Sequence, residues 1–528
     1  MWIRALLYFL GAVFGLMIFS DIMMLLKLSK LKVHPRVKVF YLPRLLQFIL
    51  VSMAAKDDLY TAHKNEIADV KDKDFIVMPS VVASGRRSFI PKSAEAITQY
   101  YKLETENFAR YNILGDNTVL NLLFSSNEEG LTRRAFFSKL FHIENMKKML
   151  PGMRKIVKDH INTLKEKVLS RAKEGDAKTA VVDVREELMV DLIDDISSYL
   201  VLGQTSRNSI RVQGESYVKK TKELFDHLTR VILSPYNMFT FGLARKLGLD
   251  PIMNNMKRLN ADLFKASIAE YKRVFNETEE AGEGSERNNV ISLIVRHNKE
   301  AQVADGGKGG KDHNVNQALP NDKIVDMILG FLFAGSDTSF NSTTSTLSLL
   351  AQNPEISEKL RTELFKDPKI QSSEYAFEDL DSKPYLSACM KEALRLVTPA
   401  PTAFHRVATK PTTLCGVTLE KGDIVQVSYL SQSRNPAVFK NSSQFNPDRF
   451  MRQGECSEYP KIQKTQFFPF SLGKRNCQGK NLAEMILKTI LTEFLREFNF
   501  KQFVGDKTKF ATDPGYSFGD NRIQIELR

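Results

Sequence analysis

Phe470-Ser471-Leu472-Gly473-Lys474-Arg475-Asn476-Cys477-Gln478-Gly479 sets one of the chain's four cysteines in a short loop just before a long helical pattern. Gly473 and Gly479 let backbone pass close to a neighbour, since glycine has no side chain to clash and accepts φ > 0. Phe470 supplies an apolar wall, and Arg475 a fixed cation near the sulfur. Backbone N–H groups, a nearby cation and a helix N-terminus all favour a thiolate. A thiolate held this way suits a metal better than a disulfide. The plainer alternative is a structural turn around a buried free cysteine. Cys389, Cys415 and Cys456 make no C-x-x-C pair and no disulfide-like spacing, which fits a reducing compartment.

The pattern F-x-x-G-x-R-x-C-x-G resembles the haem-ligand loop of the cytochromes P-450, the haem-thiolate monooxygenases, in their microsomal eukaryotic form. The resemblance implies that Cys477 is the iron ligand of haem b (iron protoporphyrin IX), with Phe470, Arg475 and Gly479 around the cofactor. In that family the sulfur pushes electron density toward oxygen and favours O–O cleavage. Gln478 departs from the family, which has a small or aliphatic residue there. An amide beside the sulfur can donate it a hydrogen bond and shift the iron's potential.

Upstream, Ile324, Met327, Ile328, Phe331, Gly335 and Thr338 fall on one face of a predicted helix starting near residue 321. Inside it lies Ala334-Gly335-Ser336-Asp337-Thr338-Ser339, where glycine and hydroxyl residues weaken the backbone ladder and permit a local opening. Taken alone, such a stretch serves equally for close packing against a neighbour. It is similar to the family's [AG]-G-x-[DE]-T-[TS] element, which crosses the cofactor opposite the thiolate. That likeness implies a hydrogen bond from Thr338 on the oxygen side and proton delivery by Asp337, chemistry that releasing water requires.

Glu392 and Arg395 stand at i, i+3 on one helical face, ordinarily a surface pair of little worth. With Phe445-Asn446-Pro447-Asp448-Arg449-Phe450 they resemble the family's E-x-x-R and P-x-R-F elements. The implied role of Glu392, Arg395 and Arg449 is a buried structural triad beneath the cofactor. Gly130-Leu131-Thr132-Arg133-Arg134 resembles the W-x-x-x-R helix, so Arg134 and, later, Arg406 are the implied propionate partners. Gly130 replaces the tryptophan, and one propionate donor is lost with it. His405 is read as a bystander.

Hydrophobic content of 43% and charged content of 26% are ordinary for a globular body with a good core. The net charge of +13 is compatible with nucleic acid, an anionic membrane or an acidic partner. No Arg-rich block with interleaved aromatics and no zinc-finger spacing occurs, so nucleic acid is set aside. Residues 5–26 are nearly all apolar, long enough to span a bilayer, and several lysines follow. The expected organisation is an anchor helix over 1–27, then a basic linker, membrane-proximal segment and start of the catalytic domain over 28–93. The haem-thiolate domain, mainly α with small β-sheets, covers 94–528. A cleaved leader or a buried helix is the competing reading of the N-terminus. The glycines of residues 305–310 read as linker, since no strand precedes them and no G-K-[ST] closes them.

The resemblance further implies insertion of one oxygen atom into a lipophilic molecule, with electrons from NADPH through a reductase and cytochrome b5 as a further donor. The implied location is the endoplasmic reticulum membrane, with the catalytic domain facing the cytosol. Lys139, Lys147, Lys148, Lys474 and Lys480 form the expected docking face for an acidic reductase. Phe108, Tyr111, Phe239, Phe331, Ala334, Phe404 and Phe518 are the candidate pocket residues, by motif position. A haem sensor or electron carrier keeps Cys477 without needing Asp337 and Thr338. A peroxide-rearranging isomerase typically lacks that acid–alcohol pair. A non-haem membrane scaffold takes up no haem.

Overall fold

The expected central helix, α6 below, forms without a break over Asn321–Gln352. Its hydroxyl-rich middle does not open. Ser336, Thr338, Thr343 and Thr346 each donate to the carbonyl four residues back, which satisfies those buried hydroxyls inside the helix itself. The computed structural model describes the chain except residues 1–17, 20, 30, 32–33, 40–72, 81–85, 112–126, 173–178, 204–210, 218, 222, 225–226, 228–246, 281–288, 297–320, 452–458, 460, 504–509, 512–516 and 519–520.

The longer helices in chain order are α1 (Ala94–Leu103), α2 (Asn127–Leu140), α3 (Ile143–Ala172), α4 (Val190–Leu202), α5 (Pro251–Glu280), α6, α7 (Pro354–Phe365), α8 (Pro384–Leu396) and α9 (Lys480–Glu497). The largest apolar cluster joins α3, α4, α8 and α9 to the second half of α6, through Val157, Leu192, Leu386, Ile490 and Leu347. A second cluster packs α5 and the helical residues 290–296 on the first half of α6, through Leu263, Ile291 and Ile328. Burying such side chains is worth roughly 1.5–3 kcal/mol each before the entropy of ordering is subtracted. α6 therefore runs through the interior with apolar neighbours on several sides, and its small residues face whatever space is left.

The β structure is small and peripheral, as expected. The main sheet joins six short strands in the order Val37–Val39, Phe75–Pro79, Arg87–Pro91, Ile424–Val425, Arg406–Ala408, Phe108–Arg110. Three of these belong to residues 28–93, so that segment enters the same sheet as Arg406. Phe498–Gln502, Arg522–Leu527 and Thr179–Asp183 form a second, antiparallel sheet with Phe500 opposite Ile525 and Ile525 opposite Ala180. Phe510–Ala511 and Ser517–Phe518 pair antiparallel near the C-terminus.

Most of the expected anchor, residues 1–17, lies outside the described residues. Its end is helical over residues 21–29; Met24 and Leu28 pack into the cluster under the main sheet, while Ile22, Met23, Leu25 and Leu26 are exposed. Among the described residues no helix is long and apolar enough to cross a membrane.

Candidate functional site

Cys477 sits where the loop 470–479 turns into α9. Its N–H donates to the Phe470 carbonyl at 2.8 Å, which closes the loop. Gly473 adopts φ +73°, and Ser471 a left-handed φ of +64° that its hydroxyl offsets by a 3.1 Å contact with the Tyr101 hydroxyl. Gly479 has φ −80° and caps α9, and a Cβ there would lie 3.9 Å from the Cys477 sulfur, ordinary contact. The left-handed glycine of this loop is Gly473, not Gly479.

The sulfur is accessible, yet it opens into an internal cavity rather than to the protein's exterior. The loop, α6 and the main sheet wall this cavity, with Phe470, Arg475 and Gly479 beside Cys477, and Ala334, Gly335 and Thr338 on α6. Of the described cysteines, only Cys477 lines it; Cys389 is buried in the α3–α9 core, Cys415 lies in the turn between Thr412–Leu414 and Val417–Leu419, and Cys456 is outside the described residues.

Burial raises the Cys477 thiol above its ordinary value, against backbone N–H groups of Gly479 and Lys480 and the Arg134 guanidinium, which lower it. The cation facing the sulfur is thus Arg134 and not Arg475, as the spacing suggested. Arg134 donates to the Asn476 carbonyl at 2.6 Å and to its Oδ1 at 3.0 Å, gripping the residue before the cysteine. Arg475 instead is buried beside Arg406, Arg134 and Glu104, and desolvation, followed by the two arginines, pushes it down to about 10. Gln478 also departs from the expected geometry: its amide donates to the Arg134 carbonyl at 2.8 Å, so its described partner is backbone and not sulfur.

The pair Arg133-Arg134 divides its work. Arg133 is buried and meets Asp326 of α6 at 2.9 Å, tying α2 to α6, while Arg134 turns to the cavity. Arg406, on the main sheet, also lines the cavity, and its Nη2 meets Glu104 Oε1 at 2.5 Å. Glu104 and Arg110, which the sequence reading missed, complete this wall. Glu104 is the residue after α1 and Arg110 ends a three-residue strand; neither belongs to a recognisable motif. Burial raises the Glu104 carboxyl, opposed by Arg406, Arg110 and Arg475.

Thr338 lines the cavity, with its hydroxyl proton donated to the Ala334 carbonyl at 2.6 Å. Asp337 is half-buried on the flank of α6 and is not part of the lining. The two expected partners are neighbours in sequence but do not share the cavity wall. His405 is absent from the lining as well. Its ring is held by Gln426, and burial drives it down to about 4, which keeps it neutral at ordinary pH.

Glu392, Arg395 and Arg449 come together in one buried cluster. Arg395 makes a two-pronged pair with Glu392, Nε to Oε2 at 2.7 Å and Nη2 to Oε1 at 2.8 Å, and Arg449 Nε reaches Glu392 Oε1 at 3.2 Å. Arg395 also donates to the carbonyls of Ser433, Ser442 and Gln444, and Arg449 to that of Asn441. Every charge is both paired and hydrogen-bonded, the condition under which burial of ions is tolerated.

Among the candidate pocket residues, Phe331, Ala334 and Phe404 line the cavity. Phe108 does not: it is fully buried under the main sheet with its ring 5.3 Å from that of Tyr100, while Arg110, two residues on, lines the cavity. Tyr111 also lies outside the lining, with Arg86 over its ring at 5.6 Å. Phe239 lies outside the described residues, and for Phe518 only the backbone is described. Phe141, Leu200, Val201 and Leu394 are lining residues that no motif announced.

The residues suit a flat, iron-bearing dicarboxylate. A cysteine sulfur faces the cavity from one side. Buried guanidinium nitrogens of Arg110 (Nε, Nη1) and Arg406 (Nη1) lack any hydrogen-bond partner, which is the chemistry two propionates would complete.

Comparison with known proteins agrees. The family model for Cytochrome P450 matches residues 66–527. The chain is 25% identical over 384 residues to "Cytochrome P450 3A41" of Mus musculus, covering 71% of this chain and 69% of that protein. It is 25% identical over 445 residues to "Putative cytochrome P450 CYP13A5" of Caenorhabditis elegans, covering 81% and 82%. The solved structure titled "Retinoic acid bound cyanobacterial CYP120A1" shares the fold at a TM-score of 0.68 and 19% identity, over 90% of this chain and 96% of that one. With a cysteine and unpartnered guanidinium nitrogens of Arg110 and Arg406 at one cavity, and the family pattern along most of its length, this chain belongs to the cytochrome P450 family, monooxygenases that bind haem through a cysteine thiolate.

Proposed function

We propose that the protein oxygenates a lipophilic small molecule of the fatty-acid, sterol or xenobiotic class, using electrons from NADPH delivered by a reductase at the endoplasmic reticulum membrane. The observation that carries this reading is the placement of Cys477 and Thr338 on the walls of one largely apolar cavity. Haem, when bound, supplies the activation of O₂ and the transfer of one of its atoms, the other leaving as water.

The chain's own residues do the rest. Cys477 is the anionic sulfur, held by the Gly479 and Lys480 N–H groups and Arg134. Arg134, Arg406 and Arg475 would hold the cofactor's carboxylates, and Phe470 and Gly479 would flank it. Thr338 keeps its oxygen lone pairs toward the cavity while its proton is tied to Ala334, so it accepts a hydrogen bond there and relays a proton by turning. Asp337, on the flank of the same turn, supplies protons from outside the lining. Glu392, Arg395 and Arg449 hold the chain around residues 433–450 as a structural clamp. Phe331, Ala334 and Phe404 offer the substrate an apolar surface.

Substrate-binding spectra over a lipid library, followed by product analysis with reductase and NADPH, test the reading. Substrate-dependent NADPH oxidation with an oxygenated product supports it; haem uptake without product under any substrate contradicts it and favours an electron carrier or sensor. In the same assay Thr338→Ala lowers product formed per NADPH consumed about a hundredfold, the low end for a positioned proton-transfer group. Unchanged coupling in that variant removes Thr338 from the proton path.

A further inference from the structure

The wall that receives the cofactor's carboxylates holds an acid of its own. Glu104 closes α1 and reaches into the space left by Gly473: a Cβ on that glycine would stand 2.7 Å from Glu104 Oε2. Its Oε1 meets Arg406 Nη2 at 2.5 Å, and both side chains are 4% exposed. Oε2 has no hydrogen-bond partner, and neither have Arg406 Nη1 or Arg110 Nε and Nη1, all buried. The Arg110 guanidinium is held at 5.0 Å over the Phe404 ring, aimed into the same cavity.

Charge makes the acid necessary. Arg110, Arg134, Arg406 and Arg475 all line the cavity, against two propionates. Those guanidiniums repel one another in a water-poor site, and at Arg110 burial and then Arg475 and Arg406 push the guanidinium down. A third carboxylate halves the surplus positive charge.

Resting on the haem-thiolate reading above, we infer that Glu104 stays ionised and bonded to Arg406 beside the bound cofactor, as a built-in third carboxylate of the propionate pocket. It is a positioning residue. By holding Arg406 through Nη2 it leaves Nη1, and both unpartnered nitrogens of Arg110, for the propionates. Arg110 then supplies the donor that Gly130 cannot. The same negative charge, on the wall that would hold the cofactor's carboxylates, would disfavour the electron-rich ferrous state.

The test is spectroelectrochemical titration of full-length haem-loaded protein carrying Glu104→Gln and Glu104→Asp, with haem content per folded chain measured alongside. Glu104→Gln keeps an acceptor for Arg406 but removes the charge. It is expected to raise the ferrous-to-ferric ratio at a fixed potential by roughly three- to tenfold, while Glu104→Asp stays near wild type. An unchanged ratio in Glu104→Gln overturns the inference, because a neutral or withdrawn carboxyl gives that result. Should Glu104→Gln hold too little haem to titrate, Glu104→Asp decides: restored haem content supports a charge role, and equal loss in both variants leaves only packing and overturns it. The thiolate-type ferrous carbonyl spectrum is recorded throughout. Its absence from wild type rejects the haem-thiolate reading itself, a failure separate from that of Glu104.

Discussion

Around single residues, electrostatics and backbone conformation decide what the motifs left open. The loop 470–479 announces its cysteine, but spacing alone paired the wrong cation with it. Arg475 turns toward Arg406 and Glu104, and Arg134, from a helix far away in sequence, comes to the sulfur. Contacts between distant segments are invisible to spacing. Gly473 shows the opposite case, a residue whose role was legible as a glycine though not its partner. Gly473→Ala forces a Cβ into a φ +73° position and against Glu104 Oε2, so we expect a loss of about 1–3 kcal/mol, measured by denaturant unfolding. An unchanged midpoint would show that the loop relaxes freely.

His405 yields a pH prediction. Its folded value of about 4 lies below the ordinary imidazole value near 6.5. Between the two, the unfolded chain binds the proton and the folded one does not, so stability rises with pH across that window. The contribution is complete above about pH 6.5 and is lost as pH falls toward 4, on the order of 2 kcal/mol for a partly buried ring. His405→Gln should flatten the unfolding free energy between pH 6.5 and 4 by that amount; an identical slope in the variant would contradict the assignment.

Individual elements are held by buried polar groups whose local pattern was legible and whose reach was not. Glu392 and Arg395 stand three residues apart on one helix, and the E-x-x-R spacing is visible in the chain. That Arg395 also satisfies three carbonyls between residues 433 and 444 is not. Removing one partner strands an uncompensated buried charge, at a cost of about 3–5 kcal/mol. Glu392→Ala is therefore expected to unfold at markedly lower denaturant and to retain little haem, whereas a loss under 1 kcal/mol would put the cluster among ordinary surface pairs. α6 differed from expectation for a related reason. Its glycine and hydroxyls permit an opening, yet each hydroxyl named above finds a carbonyl one turn back and the helix stays whole. Phe108 packs into the core while Arg110 lines the cavity, and a strand of three residues carries too little periodicity to reveal either placement.

For the whole molecule, the mostly helical architecture and the order of its parts were legible because motifs for the cysteine loop, the central helix and the buried triad recur in one sequence. Pocket residues were less so. Phe331, Ala334 and Phe404 reach the cavity, while Tyr111 packs elsewhere. The lysine face is thinner than the count suggested, since Lys147 is already met by Glu144 and Glu378. Lys474 and Lys480 remain exposed. Reversing both to Glu should slow reduction by the reductase and weaken its salt dependence; an unchanged rate and salt profile would reject this face as the docking site.

Everything at each scale converges on the sulfur of Cys477. The most direct measurement is the ferrous carbonyl absorption spectrum of wild type beside Cys477→Ser and Cys415→Ser. A red-shifted Soret band in wild type and Cys415→Ser, lost in Cys477→Ser, is the predicted result. A band that survives in Cys477→Ser, or is missing from wild type, contradicts it.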